Sequence, residues 1–89
     1  MQVSVMVDYT KVVELLDQIM NDRTVPKNIR KVAEDSKIIL QGNDSDEVKI
    51  STAIHNLDEI TNDPNMPMYT RTRIWSVASM LEELRRELG

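Results

Sequence analysis

An 89-residue chain is one domain, near the lower limit at which a single apolar core holds together without metals or cross-links. It has no cysteine, which excludes disulfides, thiolate zinc sites and a cysteine nucleophile and suits a reducing compartment. A net charge of −4 and a pI near 4.9 argue against a general nucleic-acid coat, because that work needs a broad positive field.

With no Phe, one Trp and two Tyr, the core has to be built from Ile, Leu, Val, Ala and Met. The longest apolar run is a few residues, so no membrane-spanning segment is expected. The opening "MQVSVMVDY" has neither a basic n-region nor a cleavage site, and a cytoplasmic protein is the expectation. Met6, Tyr9, Val13, Leu16, Ile19 and Met20 recur at three- and four-residue steps, which predicts an amphipathic helix from about Val5 to Met20. A second helix uses Ile29, Val32, Ala33, Ser36, Ile39 and Leu40, and Gly42 is placed to end it in the left-handed conformation. In "NDSDEV", Asp44 or Ser45 can cap a third helix, with Glu47 on the favourable end of its dipole. That helix continues through Ile50, Ala53, Ile54, Leu57 and Ile60, and a fourth runs through Ile74, Val77, Ala78, Leu81, Leu84 and Leu88. Short connections force antiparallel neighbours. The expected fold is therefore all-α: a single domain over residues 1–89, an up-down four-helix bundle of two similar hairpins, about 5–41 and 45–88.

The hairpins share sequence. "LDQIMNDRTVPKNIR" (16–30) returns forty-one residues later as "LDEITNDPNMPMYTR" (57–71), identical at seven of fifteen positions without a gap. Each matched residue has a structural use. Asp22 and Asp63 meet the positive end of the next helix, Thr24 and Asn65 are acceptable N-caps, and Pro26 and Pro67 fall in the first helical turn, where a missing amide costs nothing. Counting back from the loops puts Asp17 across from Arg30 and Asp58 across from Arg71, which predicts a carboxylate–guanidinium clasp in each hairpin.

Chemistry-bearing motifs are sparse. His55 stands alone on the third helix, and general acid–base work needs a pocket and usually a second shifted group. "NDSDE" resembles the start of a calcium loop but lacks the glycine at its sixth position and the glutamate at its twelfth. No catalytic, cofactor-binding or metal-binding residues are assigned, and no enzyme is expected. One feature departs from helix electrostatics: Lys27, Arg30 and Lys31 crowd the start of the second helix, and Arg71 and Arg73 that of the fourth. Both starts lie at the same end of an up-down bundle, so that end is a candidate anion-binding surface unless the nearby aspartates neutralise it.

The chain also resembles a family, the small archaeal proteins of uncharacterised protein family 0147. The likeness rests on "NDRTVPKNIRKVAEDSK" and "TAIHNLDEITNDPNMPMYTRTRIW" and covers nearly the whole chain. It implies a small helical bundle in archaeal cytoplasm, with no activity, substrate or cofactor attached.

The duplication supplies its own control for function. At the forty-one-residue offset Lys27 becomes Met68, Asn28 becomes Tyr69 and Glu34 becomes Trp75, while inner positions stay apolar in both hairpins. Positions 68 and 75 fall on one stripe of the fourth helix, and Met66 with Tyr69 extends it into the turn. Sulfur and aromatic groups are enriched at interface cores. The expectation is a non-enzymatic interaction or structural protein whose partner, another protein or a second copy, covers Met66, Met68, Tyr69 and Trp75. An RNA- or ribosome-associated role through the basic turn end is the alternative.

Overall fold

Asp8 sets where the first helix begins. Its Oδ1 accepts from the Thr10 amide at 2.9 Å and from the Thr10 hydroxyl at 2.5 Å, fixing the chain just ahead of the helix. These two bonds hold the Asp8 carboxyl below its ordinary pKa, the hydroxyl bond contributing most. A computed structural model describes residues 7–88, in which four helices follow one another: α1 (Thr10–Met20), α2 (Lys27–Leu40), α3 (Asp46–Ile60) and α4 (Met68–Leu88). Helix 1 therefore starts at Thr10 and not near Val5, while Val5 and Met6 lie outside the described residues. Its buried stripe is Val12, Leu16 and Ile19; Leu16 and Ile19 lie where the periodicity put them, Val12 takes the inner place expected of Val13, and Tyr9, Val13 and Met20 flank the stripe half-buried.

Each helix packs on its two neighbours around the bundle, with α1 closing against α4. The fold is the expected all-α four-helix bundle. Leu16, Ile19, Ile29, Leu40, Ile50, Leu57, Ile74 and Leu81 are fully enclosed. Each aliphatic side chain of this kind contributes roughly 1.5–3 kcal/mol on leaving water, which makes this row the main source of stability in a chain with no cross-links. Ser36 and Thr70 share that interior, and their hydroxyls have no hydrogen-bond partner among the described residues. At the far end of α4, Leu88 is partly exposed and does not belong to the inner face.

Between α2 and α3 the cap falls to Ser45, whose Oγ accepts from the Val48 amide at 3.3 Å, with Asp46 and Glu47 in the first turn. Gly42 does not take the left-handed conformation. A Cβ there would stand 3.3 Å from the Ile39 carbonyl oxygen, so close approach to the helix end, not a positive φ, is what its small size serves. At this end the Tyr9 hydroxyl donates to Asp46 Oδ1 at 2.7 Å, and the Lys49 ammonium lies 5.2 Å from the Tyr9 ring centre, joining the starts of α1 and α3. Burial first, then the bond to Asp46, raises the pKa of that phenol.

The two hairpin turns make the same bonds at equivalent positions. Asp22 Oδ1 accepts from the Thr24 amide at 3.0 Å, and Asp63 Oδ1 from the Asn65 amide at 2.8 Å. The carbonyls of the same aspartates accept from Val25 and Met66, and those of Pro26 and Pro67 accept from Arg30 and Arg71. Thr24 and Asn65 are thus the donors of aspartate turns, not N-caps, and the N-cap of α2 is Pro26, just outside the helix. Val25 and Met66 point inward as plugs under their turns.

Candidate functional site

Turn geometry brings together what sequence spacing kept apart. Asn28 on α2 donates to Asp63 Oδ2 in the second turn at 2.6 Å, Tyr69 on α4 hydrogen-bonds Thr24 in the first turn, and the Arg73 guanidinium approaches Asp22 Oδ2 at 3.5 Å. Positions 28 and 69 are equivalent at the forty-one-residue offset, so each hairpin reaches across to the other's turn. The aspartates at the centre of this junction are held below the usual carboxylate range. For Asp22 the Thr24 hydroxyl bond is the main cause, and for Asp63 the Asn65 amide bond is, with Asn28 next.

The clasp takes a different form from the one spacing suggested. Asp17 pairs with Lys37 at 2.7 Å and not with Arg30. Residues 30 and 37 are seven apart and lie on one face of α2, so the facing side was right and the height was two turns off. Asp58 makes no ion pair with Arg71 among the described residues; its backbone carbonyl accepts from the Thr61 hydroxyl. The Arg71 guanidinium instead donates to the carbonyls of Thr61 at 2.7 Å and Asp63 at 3.3 Å, placing a cation on the negative end of α3. Exposed carbonyls at a helix end compete for a guanidinium, and counting residues along the chain does not reveal them.

Much of the basic turn end is occupied by such contacts. Lys31 pairs with Asp35 at 3.0 Å, which raises its pKa, and Arg73 lies over the Tyr69 ring at 5.7 Å besides meeting Asp22. Lys27 and Arg30 form no ion pair among the described residues, and Arg30 Nε is buried without a hydrogen-bond partner. Arg23, absent from the sequence-based set, is exposed on the first turn. Residues 21–31 and 61–73 together carry six basic side chains against two acidic ones, on a chain of net charge −4.

Of the four residues expected to meet a partner, three are on the surface and one is not. Met68 is 70% exposed, Trp75 54% and Tyr69 47%, whereas Met66 is 6% exposed and belongs to the core. Met66 is the counterpart of Val25, and an apolar plug is what that turn position requires in both hairpins. Tyr69 also has a task inside the chain, through Thr24. Thr72, Ser76 and Ser79 are exposed beside Met68 and Trp75, so the outer face of α4 from residue 68 to 79 displays no fully exposed charge. Extending the stripe from 68 and 75 by helical steps of three and four finds these residues in the sequence.

Elsewhere the surface offers shallow grooves, one between α2 and α3 lined by Val32, Asp35, Asn56, Glu59 and Ile60, and one between α1 and α4 that includes Val12, Met80 and Leu84. His55 is exposed, 3.4 Å from Glu59 on the next turn of its own helix. Among the described residues no group of three His, Cys, Asp or Glu side chains could hold a metal, and no helix is long and apolar enough to cross a membrane.

A family profile described as Uncharacterised protein family (UPF0147) matches residues 4–84. The chain belongs to this family. A UPF0147 protein of Methanocaldococcus jannaschii is 54% identical over 72 residues, covering 80% of this chain and 77% of the relative. One from Thermoplasma volcanium is 46% identical over 79 residues, covering 88% and 89%. The crystal structure of a UPF0147 protein from Thermoplasma acidophilum is similar with a TM-score of 0.82 at 47% identity, over 85% of this chain and 91% of that one. A second crystal structure, of a protein of unknown function, gives a TM-score of 0.80 at 43% identity, over 82% and 84%. Membership in UPF0147 secures the fold and carries no activity with it, so function has to be argued from the surfaces just described.

Proposed function

We propose that this UPF0147 protein is a non-enzymatic interaction module of the cytoplasm, built from two copies of one helical hairpin, that holds a protein partner on the outer face of α4. The observation that carries the reading is the exposure of Trp75 and Met68 on one stripe, where the equivalent positions of α2 hold Glu34 and Lys27. A tryptophan left half in water is costly to a monomer, and large aromatic and thioether side chains are what interface cores use. Ser76, Ser79 and Thr72 add polar but uncharged surface, which is cheaper to desolvate than the charged outer face of α2.

A second reading is a phosphate-bearing partner such as RNA at the turn end. It is supported by Lys27 and Arg30, which lack ionic partners among the described residues, and by two helix N-termini at that end. The readings part on salt. Capture from an archaeal extract by wild type, Trp75→Glu and Lys27→Glu at low and high ionic strength separates them. A protein partner on α4 is retained at high salt and lost with Trp75→Glu, whereas a phosphate partner is released by salt and by Lys27→Glu. Turnover of a substrate by purified protein in an unbiased activity screen contradicts both.

A further inference from the structure

Internal contacts take half of the basic side chains at the turn end out of use. Lys31 is paired with Asp35, Arg73 with Asp22, and Arg71 is bonded to the carbonyls that end α3. Arg23, Lys27 and Arg30 form no ion pair among the described residues, and all three belong to the first hairpin. At the forty-one-residue offset Arg23 and Lys27 become Pro64 and Met68, while Arg30 becomes the bonded Arg71. The aspartates of the two turns are engaged as well, Asp22 by Thr24 and Asp63 by Asn65 and Asn28. Glu34, exposed one turn beyond Arg30, limits the cationic run to the turn and the start of α2. Pro26 gives α2 no side-chain cap, so the positive end of the helix adds to the same field.

An aromatic ring is fastened into this patch. The Tyr69 hydroxyl bonds Thr24, the residue after Arg23 and three before Lys27, so the start of α4 brings its ring to the first turn. Arg73 lies over the ring at 5.7 Å and is itself held by Asp22, yet the tyrosine stays 47% exposed. A ring held in this way loses little freedom when something covers it. Cations alone fit any polyanion, an acidic peptide included. A fixed, half-exposed ring among them fits a strand that carries flat bases beside its phosphates, and bases in a duplex are already stacked on one another.

We infer that the first-hairpin side of the turn end binds single-stranded nucleic acid, with phosphates at Arg23, Lys27 and Arg30 and one base stacked on Tyr69. The inference rests on the second reading above, a phosphate-bearing partner at this end, and adds the kind of strand and the ring that recognises it.

Fluorescence anisotropy of a short labelled oligoadenylate, titrated with the full chain at several salt concentrations, tests it. The strand is expected to bind more tightly than the same strand annealed to oligouridylate, with log K falling against log salt at a slope of about −2 for three cations. Tyr69→Phe, which keeps the ring, retains most of the binding, whereas Tyr69→Leu weakens it roughly 5- to 150-fold, as loss of one stacked base does. Lys27→Ala makes the salt slope shallower by about 0.7. Circular dichroism checks that each variant keeps its helix content, and the duplex comparison needs wild type alone. Oligodeoxyadenylate binds as the RNA strand does, because neither a ring nor a cation reads the sugar; a strict need for the 2′-hydroxyl overturns the assignment to base and phosphate. Equal affinity for strand and duplex, with full binding by Tyr69→Leu, overturns the stacked site and leaves a phosphate-binding turn end standing. No binding at the lowest salt overturns both. Displacement by polyglutamate as effective as by unlabelled strand at equal charge makes the partner an acidic peptide and overturns the nucleic acid.

Discussion

Helices α2 and α4 leave equivalent turns, bury equivalent positions and then present opposite chemistry to solvent. Ile29, Ala33, Ser36 and Leu40 on one correspond to Thr70, Ile74, Val77 and Leu81 on the other, all buried. Side-chain sizes trade between the two sets, Ala33 with Ile74 and Ile29 with Thr70, and a hydroxyl stands opposite an aliphatic group at Ser36/Val77 and Ile29/Thr70, so these positions require burial and not one residue identity. On the outside Lys27, Lys31 and Glu34 stand opposite Met68, Thr72 and Trp75. No folding requirement explains that second difference, because the charged version already makes a sound outer face. The asymmetry is where the interaction reading comes from.

The comparison can be broken most severely in the core. Leu16→Ala and Leu57→Ala remove equivalent enclosed leucines, and each is expected to cost about 2–5 kcal/mol in urea unfolding. Values within about 1 kcal/mol of each other support equivalent packing, and a much larger gap shows that the two hairpins carry the core unequally. The arginines at the turns sharpen the contrast. Arg71→Ala loses two charge-assisted bonds to the end of α3 and is expected to destabilise by about 1–3 kcal/mol, while Arg30→Ala, which loses no such bond, costs less. Equal drops in the thermal midpoint contradict the assignment of the helix-capping task to Arg71.

A smaller effect of opposite sign is expected in the interior. Ser36→Ala and Thr70→Val each remove an enclosed hydroxyl that has no partner among the described residues, and the equivalent positions hold Val77 and Ile29. Each is expected to stabilise by about 0.5–1 kcal/mol, which raises the midpoint by several degrees in a domain of this size. A fall in the midpoint means these hydroxyls are satisfied in solution. The smallest effect is on the acid side of the pH–stability curve. The turn hydrogen bonds hold the folded pKa values of Asp22 and Asp63 below the ordinary aspartate value, so their contribution is present above that ordinary value and is lost as pH falls through the lower folded values. Asp22→Asn and Asp63→Asn should each flatten the loss of thermal midpoint below about pH 4. An unchanged acid limb in both variants contradicts the role of the aspartate turns.

Four helices, their order and nearly all of the buried stripes were legible, because a 3.6-residue apolar period and proline-marked turns are written locally. What was misread depended on contacts between distant parts of the chain. The start of α1 is set by Asp8, whose two bonds to Thr10 fix the chain just ahead of the helix, whereas the apolar steps that include Met6 and Tyr9 carry it back to about Val5. Met66 looked like surface because it neighbours Met68, yet the turn folds it under while its neighbour stays out. The clasp failed for a related reason: Asp17 found Lys37 on the expected face at another height, and Arg71 found backbone oxygens that no residue count exposes. Met68 and Trp75 were placed on the outer face by the internal comparison between hairpins. The serines and threonine that complete that face are small polar residues, which carry little signal beside an aromatic side chain.

Trp75 is the only tryptophan in the chain, so its fluorescence reports directly on the outer face of α4. Acrylamide quenching of the folded protein, followed from dilute to concentrated solution, is the most direct measurement. The account predicts a red-shifted, freely quenched tryptophan in the dilute folded chain that becomes protected as a partner or second copy covers it. A blue-shifted tryptophan that is protected in the dilute folded chain and opens only in urea would place Trp75 in the chain's own core and contradict the account.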